Sequence, residues 1–186
     1  MTEKFQDKYR VSSARLKNWD YGKNGAYFIT ICTQNKDHLF GDIVGENTEA
    51  LFNPNELGAL ANFFWLEIIK QFPFVELGNF VIMPNHIHGI IIIKKSTDIK
   101  GITVQDQSLF SGVIAENNNP MMQDNVSRII RWYKGRCAYE MRKLNHVFAW
   151  QSRFHEHIIR NTESFENIQN YIVNNPQNWL DDKYFK

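Results

Sequence analysis

The sequence predicts an α+β domain built on an antiparallel sheet. Three observations carry this prediction: segments of β-branched and aromatic residues typical of strands, segments with apolar residues at helical spacing, and a two-residue turn that joins two strands directly. The chain has 186 residues, of which 43% are hydrophobic, and this length suits one domain with its own core. We therefore interpret residues 1–186 as a single domain.

The first half of the chain predicts an arm, a strand and a helix. Residues 1–24 are polar and basic and predict an N-terminal arm without regular structure. A strand is expected from Ala26 to Thr33, where β-branched and aromatic residues predominate. A helix follows, with Asn53 as its N-cap, Pro54 in its first turn and Pro73 at its end. Its apolar positions recur at helical spacing: Leu57, Leu60, Ala61, Phe64 and Ile68.

The middle of the chain predicts a hairpin and an insertion. A strand from Val75 to Met83 is separated from a strand from His86 to Lys94 only by Pro84 and Asn85. A connection this short predicts a tight antiparallel hairpin. Residues 95–123 lose all apolar periodicity and predict a flexible insertion.

The last third of the chain completes the fold. A second helix is expected from Asp124, with one apolar stripe: Val126, Ile130, Tyr133, Cys137, Met141 and Leu144. A short strand around Val147 to Trp150, resumed through His157 to Ile159, precedes a last helix from about Thr162 to Pro176. The order β-α-β-β-α-β followed by a helix predicts a ferredoxin-like split βαβ sandwich, with two helices on one face of the sheet and the other face free.

Composition and charge exclude several classes of protein. The longest uncharged apolar run, Ile87 to Ile93, is too short to span a membrane, and the charged N-terminus does not resemble a signal sequence, so we expect a cytoplasmic protein without membrane contact. Cys32 and Cys137 lie far apart and predict two buried apolar residues, not a disulfide or a thiolate metal site. The formal net charge of +1 means that any DNA-binding surface must be local.

A His-x-His motif opens the third predicted strand. Residues two apart in a strand point to the same face, so His86 and His88 should lie side by side while Ile87, Ile91 and Ile93 point to the other face. Two exposed imidazoles held in this way are suited to a divalent metal. Surface or cross-strand-paired histidines explain an isolated motif equally well, but the position beside a tight turn at the start of an apolar strand favours the metal site.

The last helix places a tyrosine and an asparagine on one face. Tyr171 lies at the edge of the stripe formed by Phe165, Ile168 and Ile172, and Asn175 follows four residues later. A phenol nucleophile and a neutral oxygen ligand are what metal-assisted cleavage of a phosphodiester would use. A packed tyrosine and a capping asparagine before Pro176 give the same spacing, so the pattern alone does not decide.

Three separated blocks of this sequence resemble a known family. NFVIMPNHIHGIII resembles the His-hydrophobe-His block of the HUH single-tyrosine transposases, and WQSRFHEHIIRN with NYIVNNPQNW resembles the C-terminal blocks of their REP-associated branch. RLKNWDYGKNGAYFITICT is similar to that branch as well. The resemblance extends from about Arg10 to Trp179, except in residues 95–123. It implies a metal-dependent endonuclease and strand transferase that acts on single-stranded or hairpin DNA through a covalent 5′-phosphotyrosine.

The resemblance also implies a role for each site residue. His86 and His88 would hold Mg²⁺ or Mn²⁺, Tyr171 would be the nucleophile, and Asn175 would be the third ligand. The insertion-sequence transposases have Gln where this chain has Asn175, a shorter side chain. Their dimers exchange the tyrosine helix, whereas the REP-associated branch works as monomers, so the sequence leaves a monomer and a homodimer open.

Basic residues along the second helix predict a DNA surface. Arg128, Arg131 and Lys134 would contact phosphates, and Trp132 would stack on an unpaired base. Arg153 lies beside the HEHIIR block, whose residues would shape the site or contact DNA, and we predict the same role for it. The charge run is equally compatible with the solvated face of a helix.

Two other functions remain open at this stage. The four residues His86, His88, His155 and His157 could form a zinc hydrolase site, although Glu156 alternates away from both of its neighbours in an extended strand. A non-catalytic regulator that binds hairpin DNA with the same fold is the second alternative.

Overall fold

A computed structural model describes residues 19–45, 49–95 and 123–185 of the chain. The strands are β1 (Gly25–Cys32), β2 (Gly41–Val44), β3 (Leu51–Pro54), β4 (Val75–Met83), β5 (His86–Ile93) and β6 (His155–Ile159), and the helices are α1 (Glu56–Gln71), α2 (Val126–Leu144) and α3 (Thr162–Val173). Residues 1–18 of the predicted arm at residues 1–24, and all but the two end residues of the predicted insertion at residues 95–123, lie outside the described residues.

The main sheet has the predicted topology. Its four strands follow the order β4-β5-β1-β6, and every neighbouring pair is antiparallel. The central strands are β1 and β5, which are the first and third strands of this sheet in chain order, as the ferredoxin-like sandwich requires. Pro84 and Asn85 form the turn between β4 and β5, as predicted. The α+β fold class is therefore confirmed.

One face of the sheet carries the hydrophobic core. Ile87, Ile91 and Ile93 of β5 are completely buried there and pack with side chains of α1 and α2. The Tyr133 hydroxyl of α2 donates a hydrogen bond of 2.9 Å to the carbonyl oxygen of Ala61 in α1, which joins the two helices. Both cysteines are buried, as predicted.

A glycine in β5 lets the helix layer approach the sheet closely. A Cβ atom on Gly89 would lie 2.3 Å from the Trp65 ring. Because Trp65 is completely buried, it has no room to move away. The absence of a side chain at this position therefore sets how closely α1 packs beside the histidine strand.

The second face of the sheet is covered in part, and not free as the sequence predicted. Ile172 of α3 is completely buried and packs with Ile90 and Ile159 on this face. The segment after α3, residues 174–185, continues across the same face and ends in a 3-10 turn at Trp179–Asp181 and the residues that follow it. The functional site is formed where this segment meets the sheet.

The start of α1 differs from the prediction. The N-cap is Asn55, whose side chain accepts a hydrogen bond of 3.0 Å from the Gly58 backbone, whereas Asn53 and Pro54 belong to β3. β3 pairs with β2 in a small hairpin that the sequence did not predict. Strands of four residues are too short to show a clear alternation pattern.

Two other predictions about elements need correction. Leu144 does not belong to the buried stripe of α2, because 55% of it is exposed. Residues 147–150 do not form a strand: Trp150 makes an isolated bridge to Thr33, and β6 begins only at His155. No helix in the described part of the chain has the length and apolar character needed to cross a membrane.

Candidate active site

The two histidines of β5 lie side by side in the centre of the sheet. His86 pairs with Met83 and Cys32, and His88 pairs with Val81 and Thr30. Their ring centroids are 4.4 Å apart, on the face opposite the isoleucine core, as the alternation predicted. Contrary to the prediction, neither is exposed: their exposed fractions are 0% and 1%.

Asn85 fixes the orientation of the His86 ring. The Asn85 side-chain nitrogen donates to the backbone carbonyls of Lys36 at 3.0 Å and Tyr184 at 2.9 Å, so its amide oxygen must face His86. That oxygen lies 2.8 Å from His86 Nδ1 and can only accept, so Nδ1 carries the proton. His86 Nε2 is therefore left with a free lone pair, and metal-binding histidines typically donate their other ring N–H to an oxygen in this way.

His88 connects the sheet to the tyrosine. Its Nδ1 atom lies 2.8 Å from the Thr30 hydroxyl, which can either donate or accept a hydrogen bond. Its Nε2 atom lies 3.2 Å from the Tyr171 hydroxyl. His88 can therefore present a lone pair at Nε2 by donating Nδ1–H to Thr30.

Tyr171 reaches the histidines because of the way α3 is anchored. Asn161 caps the helix by accepting a hydrogen bond of 2.8 Å from the Ser164 backbone, and the buried Ile172 fixes the rotation of the helix. The Tyr171 ring then meets the Phe28 ring edge to face at 6.1 Å, with 40% of the residue exposed. The nucleophile predicted from sequence and the predicted metal ligands thus meet within one chain.

Asp182 is a member of this site that sequence reasoning missed. One of its carboxylate oxygens accepts hydrogen bonds from the Tyr171 hydroxyl at 3.2 Å and from the Asn175 side-chain nitrogen at 3.1 Å. It lies in the segment that follows the last helix, where the sequence shows no alternation or helical spacing. The only available signal was an acidic residue close to the NYIVNNPQNW block.

The site contains the atoms that a divalent metal requires. Ligand atoms of His86, His88 and Asp182 all lie within 4.8 Å of one another. Among the described residues, His86 Nε2 and the Asn175 side-chain oxygen are buried without a hydrogen-bond partner. Such atoms are costly unless a further group satisfies them. The donor set of two imidazoles, a carboxylate and an amide oxygen fits a divalent metal ion.

Burial sets the protonation states of the site. Burial and, to a smaller extent, the nearby ammonium groups of Lys36 and Lys183 together lower the pKa of His86 from 6.5 to about 3. Burial, followed by the proximity of His86, lowers the pKa of His88 well below its usual value. Both imidazoles are therefore neutral and able to act as ligands at pH 7. Burial and the Asp182 carboxylate raise the pKa of Tyr171, so the phenol is protonated in the free protein.

The basic residues predicted to bind DNA lie mostly away from this site. Arg128, Arg131 and Lys134 belong to α2, in the helix layer on the opposite face of the sheet. Arg128 forms an ion pair with Asp124. Lys134 donates a hydrogen bond of 2.6 Å to the Gln151 carbonyl. Arg153 lies on the exposed segment before β6.

Trp132 is placed differently from the prediction. It is half-buried, packs on the core, and meets the Phe72 ring perpendicularly at 5.8 Å. The ring that was predicted to stack on a base is therefore covered in part by packing within the domain.

His155 and His157 share the histidine face but do not complete a four-histidine metal site. Thr30 pairs with both His88 and His155, which places these residues in one row across the sheet. Within the described ranges, however, the group of close ligand atoms contains His86, His88 and Asp182, without either histidine of β6. The geometry does not favour the zinc hydrolase alternative.

Comparison with known proteins identifies a relative and a fold. No family model matches the chain. An uncharacterized protein of Haemophilus influenzae is 36% identical over 174 residues, which cover 93% of this chain and 92% of the relative. A REP-associated tyrosine transposase, whose structure was solved with a bound REP hairpin, matches with a TM-score of 0.57 and 21% identity over 89% of this chain and 73% of its own. The relationship predicted from the three sequence blocks is confirmed at the level of the fold.

Proposed function

The chain belongs to the same family as the Haemophilus influenzae protein and has the fold of a REP-associated tyrosine transposase, and we propose that it cleaves and rejoins single-stranded DNA through a covalent 5′-phosphotyrosine. The observation that supports this most directly is the position of the Tyr171 hydroxyl, 3.2 Å from Nε2 of a buried histidine in the same chain. A structural tyrosine at a helix edge has no need to reach a buried neutral imidazole.

In the proposed reaction, Tyr171 attacks a phosphodiester in line. The bond between its phenolic oxygen and phosphorus forms, the bond to the 3′ oxygen breaks, and the phenolic proton passes to the Asp182 carboxylate, which already accepts it in a hydrogen bond. The leaving 3′ oxygen takes up a proton from water to become a free 3′-OH. Attack of another 3′-OH on the phosphotyrosine reverses these steps and joins the strands without an external energy source.

We propose His86 and His88 as metal ligands, supported by their neutral charge and by the free lone pair of His86 Nε2. A bound Mg²⁺ or Mn²⁺ would neutralise phosphate charge and polarise the phosphorus for attack. Asn175, predicted as the third ligand, remains a proposal supported by its unpartnered side-chain oxygen. Asp182 is the competing third ligand, since its carboxylate lies with the two histidines.

We propose single-stranded or hairpin DNA as the partner. The solved neighbour in this fold is described as bound to a REP hairpin. Arg128, Arg131 and Lys134 remain proposed contacts, and their place in the helix layer suits the duplex part of a hairpin better than the strand being cut. Trp132 and Arg153 also remain proposed contacts with the DNA.

The test is the formation of a covalent adduct. Wild-type protein incubated with Mn²⁺ and a labelled single-stranded hairpin target should yield a product that survives boiling in detergent and maps to the peptide containing Tyr171. Tyr171→Phe should abolish the product while changing the free energy of unfolding by no more than about 1 kcal/mol, the scale of one hydrogen bond. His88→Ala and addition of a chelator should abolish it as well.

Matched tyrosine variants provide the controls. Tyr139 lies on α2 and is 63% exposed, so Tyr139→Phe should leave the adduct unchanged. Tyr184 is the competing nucleophile within the site, because its ring lies 4.6 Å from the His86 ring. An adduct that persists in Tyr171→Phe and maps to Tyr184 would contradict the assignment. Binding of hairpin DNA without any adduct would favour the non-catalytic regulator.

A further inference from the structure

A groove runs beside the candidate site, along the edge strand of the sheet. Its cavity of about 530 Å³ lies between β1, β6 and the C-terminal segment. Lys36 and Lys183 line one end of it beside Tyr184, and the rest is lined by Phe28, Thr30, Gln151, His155, Glu156 and His157. A second cavity of about 530 Å³ shares Phe28 and His157 with the first and continues to the start of α3.

The strand register aligns this groove with the candidate active site. Phe28 pairs with Ile90 of β5 and with His157 of β6, one row away from the row that contains His88 and His155. His155 and His157 are exposed, and no strand from the described residues pairs with the outer side of β6. The Phe28 ring lies 5.1 Å from the His88 ring. The groove is therefore a continuous extension of the surface that contains Tyr171 and the histidine pair.

A turn with an unusual backbone holds the cationic end of the groove. Asn35 and Lys36 adopt φ values of 57° and 60°, in the left-handed region that costs free energy for residues other than glycine. The turn keeps this shape because Asn85 donates a hydrogen bond of 3.0 Å to the Lys36 carbonyl. As a result the Lys36 ammonium lies 5.1 Å from the Tyr184 ring and donates to the Lys183 carbonyl at 3.0 Å.

Two ammonium groups are thus held beside His86. Both Lys36 and Lys183 lie close enough to act electrostatically on that ring. Within the described part of the chain, no ion pair links either of them to a carboxylate, in contrast to Lys70 with Glu67 and Lys94 with Glu76. Two such charges at the mouth of a site that is proposed to cut a phosphodiester favour a polyanionic ligand.

We propose that this groove binds the unpaired nucleotides next to the scissile phosphate, with Lys36 and Lys183 on the adjacent backbone phosphates and the Phe28, His155 and His157 rings against the bases. The inference rests on the function proposed above and assigns the path of its substrate. Single-stranded DNA is the favoured occupant because aromatic rings can stack on the faces of unpaired bases, whereas a duplex keeps those faces covered.

The experiment measures binding without catalysis. Protein carrying Tyr171→Phe, in chelator, is titrated into a fluorescent oligothymidylate of about 12 nucleotides, within the range of single-strand site sizes. Lys36→Gln combined with Lys183→Gln should weaken binding about tenfold or more at moderate salt. It should also reduce the slope of log affinity against log salt by about 1.4, since each lost single-strand phosphate contact removes about 0.7.

The matched control is Lys70→Gln combined with Lys94→Gln, which removes the same charge from side chains that are 72% and 61% exposed. It should leave affinity and slope near those of the parent. Lys36→Arg should retain binding, because it preserves the cation. His155→Ala combined with His157→Ala should weaken single-strand binding at least fivefold with little effect on the salt slope, because stacking carries no charge.

The outcomes separate this inference from the proposed chemistry. If the lysine double variant binds as the parent does while wild-type protein still forms the adduct, the groove is not the substrate path although the catalytic assignment stands. If the lysine double variant lost as much affinity for a duplex of the same sequence as for the single strand, the proposal that the groove binds unpaired nucleotides would also be wrong. Selective loss of single-strand binding would support it even if no adduct were ever found.

Discussion

Asn85 offers a direct test of how the candidate site is organised. It is completely buried, and its side chain makes three hydrogen bonds, to the Lys36 carbonyl, the Tyr184 carbonyl and His86 Nδ1. At about 1 kcal/mol for each hydrogen bond, Asn85→Ala should lower the free energy of unfolding by about 3 kcal/mol. Because His86 also loses the partner that fixes its tautomer, affinity for Mn²⁺ should fall about 10- to 100-fold.

A second substitution separates these two effects. Asn85→Asp keeps an oxygen that can accept from His86 Nδ1 but removes both donations to the backbone carbonyls. It should therefore lose stability while retaining most of the metal affinity. Urea unfolding in chelator measures the first quantity and calorimetric titration with Mn²⁺ measures the second.

Asn145→Ala, at the end of α2, provides the control, since its side-chain oxygen accepts a single exposed hydrogen bond from the Val147 backbone. It should change the free energy of unfolding by no more than about 1 kcal/mol. If Asn85→Ala unfolds like this control and binds Mn²⁺ like the wild type, the described role of Asn85 is wrong.

Two further predictions concern pH and salt. Since the pKa of His86 falls from 6.5 in the unfolded chain to about 3 in the folded protein, the unfolded chain binds the extra proton between these values. The pKa of the buried His88 is lowered as well. The free energy of unfolding of metal-free protein should therefore fall as pH drops from 6.5 toward 3, by up to about 1.4 kcal/mol per pH unit for each of the two histidines. Urea unfolding from pH 7 to pH 5 measures this, and a flat profile would count against buried neutral imidazoles. Arg128→Ala and Arg131→Ala should each reduce the salt dependence of hairpin-DNA binding by about one unit per lost phosphate contact. Unchanged slopes in both variants would remove α2 from the interface.

The long elements of the fold could be predicted from sequence because each has a strong periodic signal. β5 shows an apolar run behind a two-residue turn, and α2 shows a stripe at helical spacing, so both were found to within a few residues. The β2–β3 hairpin was missed because neither Gly41–Val44 nor Leu51–Pro54 alternates between apolar and polar residues. Asn53 was mistaken for the helix cap because Asn55, two residues later, offers the same side chain.

The histidine pair was predictable because alternation in a strand is a local property. His86 and His88 point to one face whatever the rest of the chain does. Their burial was not predictable in this way. It depends on α3 and on the Trp179 and Tyr184 rings, which pack near His86 at 5.9 Å and 4.6 Å and which arrive from about a hundred residues later in the sequence.

Asp182 illustrates the limit of the sequence signal most clearly. Its position follows from where residues 176–185 turn back over the sheet, and that turn is fixed by long-range bonds such as the one from Asn85 to the Tyr184 carbonyl. Asn175 and Tyr171 come together through the same carboxylate, although Asn175 lies beyond the end of α3 and no longer follows helical spacing. Helical spacing therefore placed Tyr171 and Asn175 together, whereas their contact depends on a third residue that no local pattern marks. The third ligand of the proposed metal site consequently requires substitution of both Asn175 and Asp182 to decide.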